Sequence, residues 1–204
     1  CFWVDNHYKT APMLPLLLNT ALDSILKHRY DKYRAEKRFP PEAQELENQG
    51  IQPYTDLPQL NEWREKLSAL RVVNEGAGYV LQGKIDDVLW EAEGRGVPAD
   101  YKPAGNAPAE DKQRYYVDQL TAYGLMFREH GHRVSDRAYL LHYFVADKSD
   151  PSLEVRFDAH VDLVSIDVAG IERKLADMVE LLEGDYPGHN PRCSKGSYDD
   201  GRNK

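Results

Sequence analysis

The sequence predicts an α/β fold in which a mixed sheet of about five strands is flanked by helices. Stretches whose apolar residues recur every three or four positions alternate with stretches rich in residues that suit a pleated surface. Gly-rich turn signals separate the pleated stretches in the middle of the chain. The resulting order is helix, three strands, helix, two strands, helix, and such elements bury their apolar faces by stacking as layers.

The 204 residues are read as a single domain over 1–204, long enough to bury a core. Residues 1–15 are aromatic with two prolines and read as an ordered but irregular arm. A helix is expected from Leu16 to about Lys37, with Leu18, Leu22, Ile25, Leu26, Tyr30 and Tyr33 as its apolar stripe. Pro40, Pro41, Gly50, Pro53 and Pro58 then break the periodicity, so 38–63 reads as a loop-rich insertion. Trp63 to Leu70 reads as a short helix or as the approach to a strand at 70–74.

The stretch from Gly78 to Lys102 is the most informative. Its first half, to Trp90, suits a pleated surface, and Glu93-Gly94-Arg95-Gly96 supplies the positive-φ positions of a hairpin before Val97 to Lys102. With 70–74 this makes an antiparallel meander of three strands. After a small-residue loop, a helix is expected from Ala109 to about His130, acidic in its first turn and stopped by Gly131. Residues 136–147 have the continuous apolar character of a buried strand, and 153–162 alternate into another. A last helix from Asp167 carries Ile171, Leu175, Met178, Val179 and Leu182 on one stripe and ends near Gly184. From 185 the chain is a polar tail.

Side chains alternate along a strand, so Asp100 and Lys102 share one face while Tyr101 takes the other. Asp86 lies beside them if the register allows, and a register shift of one residue would exchange it with Asp87. Two carboxylates and an ammonium on adjacent strands can hold a hard divalent cation, Mg²⁺ or Mn²⁺, while the Lys positions or polarises a water. That combination suits phosphodiester hydrolysis. On the next helix Tyr116, Gln119 and Tyr123 share a face, and a polar amide between two tyrosines is unusual where a helix packs on a sheet.

Gly83-x-Ile85-Asp86, then Asp100-Tyr101-Lys102, then Gln119-x-x-x-Tyr123 resemble the RecB-like branch of the PD-(D/E)XK nuclease superfamily, which includes the CRISPR-associated adaptation exonucleases. The resemblance covers most of 16–183, with 38–63 outside it. It implies a restriction-endonuclease-like core and a metal-dependent deoxyribonuclease acting in DNA repair, recombination or defence. Asp86 and Asp100 would bind the cation with the Tyr101 carbonyl as a further ligand, and Lys102 would position the attacking water. Gln119 and Tyr123, with Tyr116 on the same face, would contact nucleic-acid phosphate or orient Lys102. In the family's first motif a Gly precedes a metal-binding His by four residues, and the matching positions are Asn19 and Asp23. Asp23 therefore reads equally as a third ligand and as a solvated helix residue paired with Lys27.

Some relatives of this kind join an N-terminal Cys to three C-terminal ones through a four-iron cluster. That cluster takes four thiolates, and the chain has only Cys1 and Cys193, so no iron–sulfur cluster is expected. The pair reads as a remnant or as free thiols, with a zinc site involving His189 as a third reading. His142 and His160 lie on strands and read as hydrogen-bonded structural residues.

At 41% hydrophobic and 29% charged, the composition is that of a soluble globular protein. No apolar run approaches the roughly 18 residues of a membrane span. Two cysteines are too few for a disulfide framework, so a cytoplasmic protein is expected, and a chain that opens on Cys1 is expected to be a fragment. The net charge of -8 argues against indiscriminate coating of a duplex. A helicase or recombination subunit would then be the source of a basic DNA-binding surface. The rival is a catalytically inactive nuclease-like fold that serves as a nucleic-acid- or protein-binding scaffold.

Overall fold

The computed structural model describes residues 17–109, 112–147, 149 and 154–188. Its helices are α1 (Leu17–Arg34), α2 (Glu45–Asn48), α3 (Leu57–Glu65), α4 (Val117–Glu129) and α5 (Val168–Glu183). Its strands are β1 (Ile51–Pro53), β2 (Val72–Asn74), β3 (Tyr79–Leu81), β4 (Asp87–Glu91), β5 (Gly96–Ala104), β6 (Arg137–Val145) and β7 (Phe157–Ser165). The arm at 1–15, both cysteines and His189 lie outside the described residues, as does nearly all of the tail from 185.

Five strands form one mixed sheet in the order β1-β4-β5-β6-β7, antiparallel throughout except for the parallel pair β5–β6. A parallel pair needs a crossover, and α4 supplies it by packing back onto β5. Helices cover both faces, as expected for this fold class. On one face Leu120, Met126 and Phe127 of α4 bury against Val88, Ala138 and Leu140. On the other, Leu26 and Tyr30 of α1 meet Tyr101, Tyr139, Leu141 and Tyr143. Strands covered on both sides must be apolar on both sides, which is why 136–147 reads as an unbroken apolar run. Gly124 lets α4 pack tightly at the start of the last helix: a Cβ there would lie 3.1 Å from both Ile166 and Val168.

Several local expectations are corrected. The run from Gly78 to Trp90 is two strands in two sheets. β3 pairs with β2 in a separate ribbon, and only β4 forms the hairpin with β5. Between them Ile85 leaves the strand path: its side chain is buried in the core and its N–H donates to the Trp63 carbonyl at 3.3 Å. Asp86 therefore sits one residue before β4 and not on it. The stretch 38–63 is more than loop. It folds into a turn of 3₁₀ helix, α2, β1 and most of α3, buries Phe39, Leu46, Ile51 and Leu60, and supplies the edge strand of the sheet. Helix α4 starts later than expected, after a 3₁₀ turn at Lys112–Tyr115. Ile25, read as part of the apolar stripe of α1, is exposed.

A buried charge cluster fixes α1 and α3 to the hairpin. Arg34, the last residue of α1, places Nη2 2.6 Å from Asp87 Oδ2, and Arg64 of α3 places its own Nη2 at 3.4 Å. The Tyr101 hydroxyl also donates to Asp87. Arg64 Nε donates to the Asp86 carbonyl at 2.8 Å, so the backbone at 86–87 is held from two sides. Asp87 is thus committed to one face, and the Asp86 side chain is left to turn the other way.

Candidate active site

Pairing of β4 with β5 ends at Asp87 and Ala99, while β5 continues along β6 to Ala104. Beyond Ala99 the β4-side edge of β5 is therefore open. The Tyr101 N–H points to that edge and donates to Asp86 Oδ2 at 3.4 Å. In a strand the carbonyl of a residue lies on the same edge as its N–H, so the Tyr101 carbonyl also faces the gap.

The alternation of β5 places its side chains as expected. Tyr101 is buried on the α1 face beside Asp87 and Tyr30, while Asp100 and Lys102 face α4. There Gln119 acts as a clamp. Its Nε2 donates to Asp100 Oδ1 at 3.0 Å and to the Tyr123 hydroxyl at 2.7 Å, and its Oε1 accepts from Lys102 Nζ at 3.4 Å. The opposite amide orientation would set the amide NH₂ against the Lys102 ammonium, which has no acceptor, so this network favours the orientation described. Lys102 Nζ also lies 4.5 Å from the centre of the Tyr116 ring and pairs with Asp100 Oδ2. That Asp100 oxygen is buried and accepts no hydrogen bond of good geometry.

Asp23 and Lys27 come from α1, one turn apart. Lys27 Nζ lies 2.8 Å from Asp23 Oδ2 and 2.9 Å from Asp86 Oδ1, so an ammonium stands between the two carboxylates. The structure thus brings Asp23, Asp86, Tyr101, Lys102 and Tyr116 to one cleft of about 410 Å³, with Asp100, Gln119 and Tyr123 behind Lys102. Among the described residues, no group of three or more His, Cys, Asp or Glu side chains is gathered to hold a metal ion by itself. In this cleft the Lys27 ammonium stands between Asp23 and Asp86.

Electrostatics divides the two central carboxylates. Burial and then the neighbouring charge of Asp86 push Asp100 up to about 7, against the pull of Lys102. Burial also acts to raise Asp86, but Lys27, a hydrogen bond with Asp100 and Lys102 together hold it below its ordinary value. For Lys27 burial opposes the charged form, and Asp86 and Asp23 more than offset it. A proton taken up by the metal-free pair below about pH 7 therefore sits on Asp100.

A folded-state pKa raised from 3.8 to about 7 has a definite sign. Between those values the folded chain holds a proton on Asp100 that the unfolded chain has lost, so this group's contribution to stability falls as pH rises. Asp86, held below its ordinary value, is ionised in both states above about pH 5 and adds no slope there. Urea unfolding in EDTA at pH 5 and pH 8 tests this. Asp100→Asn, which cannot ionise, gains stability relative to wild type at the higher pH; a constant difference would mean that Asp100 ionises freely.

Sequence reasoning missed the second partner of Lys27, 59 residues away, because no local spacing signals it. It also missed the Arg34–Asp87–Arg64 cluster, for the same reason. His142 and His160 converge on the Asp162 carboxylate at 3.0 and 2.9 Å, where Gln113 Nε2 also donates at 2.9 Å. His160 of β7 hydrogen-bonds the carboxylate, whereas His142 of β6 is buried beside it without a hydrogen bond of good geometry at Nε2.

Comparison with known proteins gives one family. The model of the PD-(D/E)XK nuclease superfamily matches residues 4–195, a span that includes every residue of the cleft. No curated protein matches the chain.

Proposed function

Since the chain belongs to the PD-(D/E)XK nuclease superfamily, we propose that it is a metal-dependent deoxyribonuclease of the RecB-like branch, related to the CRISPR-associated adaptation exonucleases. It would hydrolyse DNA phosphodiesters in repair, recombination or defence. The observation that carries this reading is the meeting of Asp86, Asp100 and Lys102 at the open edge of β5, with Gln119 bonded to both of the last two.

The donor set fits the divalent cation typical of the superfamily. Asp100 Oδ2 is a buried oxygen that accepts no hydrogen bond of good geometry and has only its ion pair with Lys102, and the Tyr101 carbonyl shares the open edge with Asp86. Asp86, Asp100 and that carbonyl would hold Mg²⁺ or Mn²⁺, with Asp23 as a further oxygen ligand. When bound, the cation supplies a water of lowered pKa and neutralises charge on the phosphoryl oxygens. Lys102 orients the attacking water and stabilises the charge that builds on the phosphate. Gln119 accepts from Lys102, and the Tyr116 ring steadies its ammonium as well. Tyr116 would stand in the wall nearest the substrate phosphate, with Gln119 and Tyr123 behind Lys102 to orient it.

Among the described residues no helix is long and apolar enough to cross a membrane. A net charge of -8 leaves DNA affinity to depend on the loaded cation and on a basic partner such as a helicase or recombination subunit. Cleavage of labelled single- and double-stranded DNA in Mg²⁺, Mn²⁺ or EDTA tests the proposal. Cutting occurs with either cation, stops in EDTA and is lost in Asp86→Asn. A chain that neither cuts nor binds a cation is the scaffold instead.

A further inference from the structure

The bridge Asp23–Lys27–Asp86 stands where the proposed function places a cation. An Asp and a Lys one turn apart on a helix form an ordinary surface pair. Here the same ammonium also reaches Asp86 Oδ1 at 2.9 Å, and its side chain is only 22% exposed. Two carboxylates directed at one half-buried ammonium make a cation site that already contains a cation, tethered to the chain by four methylenes.

A divalent ion on Asp86 and Asp100 would share Asp86 with Lys27. Two like charges a few ångströms apart on one carboxylate repel strongly in a half-buried setting. We propose that Lys27 is the resident counter-ion of the cation site, holding Asp23 and Asp86 in the metal-free protein and moving off Asp86 when the divalent ion binds. Lys27 thereby lowers the site's metal affinity and frees Asp23 as a ligand only once metal is present. This inference rests on the reading that Asp86 and Asp100 hold a divalent cation.

The charge balance gives the displacement a use. With a proton on Asp100, the ionised carboxylates of Asp23 and Asp86 balance the ammoniums of Lys27 and Lys102 and the empty cluster is neutral; once that proton leaves, it is one negative in excess. In neither form does it attract a phosphodiester. A divalent ion added to the three ionised carboxylates leaves one positive charge in excess, which matches the single negative charge of the scissile phosphate. Substrate therefore follows metal into the cleft.

Calorimetric titration with Mn²⁺ alone, without DNA, tests the role of Lys27 in wild type, Lys27→Met and Lys27→Arg. Lys27→Met binds Mn²⁺ on the order of tenfold more tightly, because no tethered charge has to be moved. Its melting temperature falls in EDTA and returns to the wild-type value or above in saturating Mn²⁺. Lys27→Arg keeps the wild-type pattern. A folded Lys27→Met with unchanged or weaker Mn²⁺ binding overturns the inference and leaves the nuclease reading standing. If neither wild type nor Lys27→Met binds Mn²⁺, both fall. The wild-type chain also gives a reading that needs no stable variant: the Lys27 Nζ resonance, assigned by its loss in Lys27→Arg, shifts and exchanges faster with solvent when Mg²⁺ is added. A resonance unmoved at saturating Mg²⁺ overturns the inference.

Discussion

Lys102→Met lowers metal-dependent cleavage of DNA by about a thousandfold while the chain stays folded and still binds the cation. The loss is large because Lys102 is the ammonium placed beside both Asp100 and the open edge of β5, and its charge is needed most where negative charge grows in the transition state. Folding survives because Asp100 loses its counter-charge and answers by holding its proton more firmly, so no bare carboxylate is left buried. Cation binding survives because Lys102 repels the ion and donates nothing to it. Asp100→Ala separates the roles, since it loses cleavage and cation affinity together. Paired kcat and calorimetric measurements on the two variants read the difference. A Lys102→Met chain that cuts within tenfold of wild type would move the chemical centre off β5.

Asp87→Ala destabilises the fold by roughly 3–5 kcal/mol, the cost of removing one partner of a buried ion pair. Asp87 is fully buried and Arg34 is 2% exposed, so the guanidinium left behind has no water to turn to. Arg64, whose Nη2 is buried without a good hydrogen bond, loses the carboxylate facing that nitrogen and keeps only Asp31, at 2.8 Å from its Nη1. Because the cluster joins α1, α3, β4 and β5, its loss is felt as global unfolding, with a lower urea midpoint. The double variant Arg34→Met/Asp87→Leu recovers part of the loss, because filling the space with apolar groups removes the stranded charge. A single Asp87→Ala effect below about 1 kcal/mol would show that water enters the cluster and rescues the arginines.

The two predictions fall on Lys102 and Asp87, one on each strand of the hairpin, and the contrast shows how far the sequence could be read. Strand alternation is local, so it correctly set Asp100 and Lys102 on one face and Tyr101 on the other. Helical spacing is local as well, and it put Tyr116, Gln119 and Tyr123 on the face that meets Lys102. The long apolar run of β6 was legible because a strand covered on both sides needs one. Partner choice is not local. β2 and β3 pair with each other and not with the main sheet, and the pleat-forming run from Gly78 to Trp90 carries no mark of the change at Ile85. β1 was hidden by its own Pro53, which argues against a strand in general but is tolerated at a sheet edge, where β1 lies. The roles of Asp86 and Asp87 were separated in space by Lys27, Arg34 and Arg64, which approach from opposite sides and lie between 22 and 59 residues away in the chain.

Ala99 is the residue at which β5 passes from one ladder to the other, paired with Asp87 on one side and Tyr139 on the other. Past it the sheet is notched, and the notch exposes main chain to a ligand at a position whose side chain is committed elsewhere. Tyr101 consequently does two separable jobs. Its ring and hydroxyl belong to the interior, where they touch Tyr30 and Asp87, while its peptide group borders the cleft. A main-chain oxygen is supplied by any of the twenty amino acids, so chemistry places no demand on which residue stands at 101. Whatever restriction applies there comes from the interior, and the position can drift in sequence only as far as the neighbourhood of Asp87 permits.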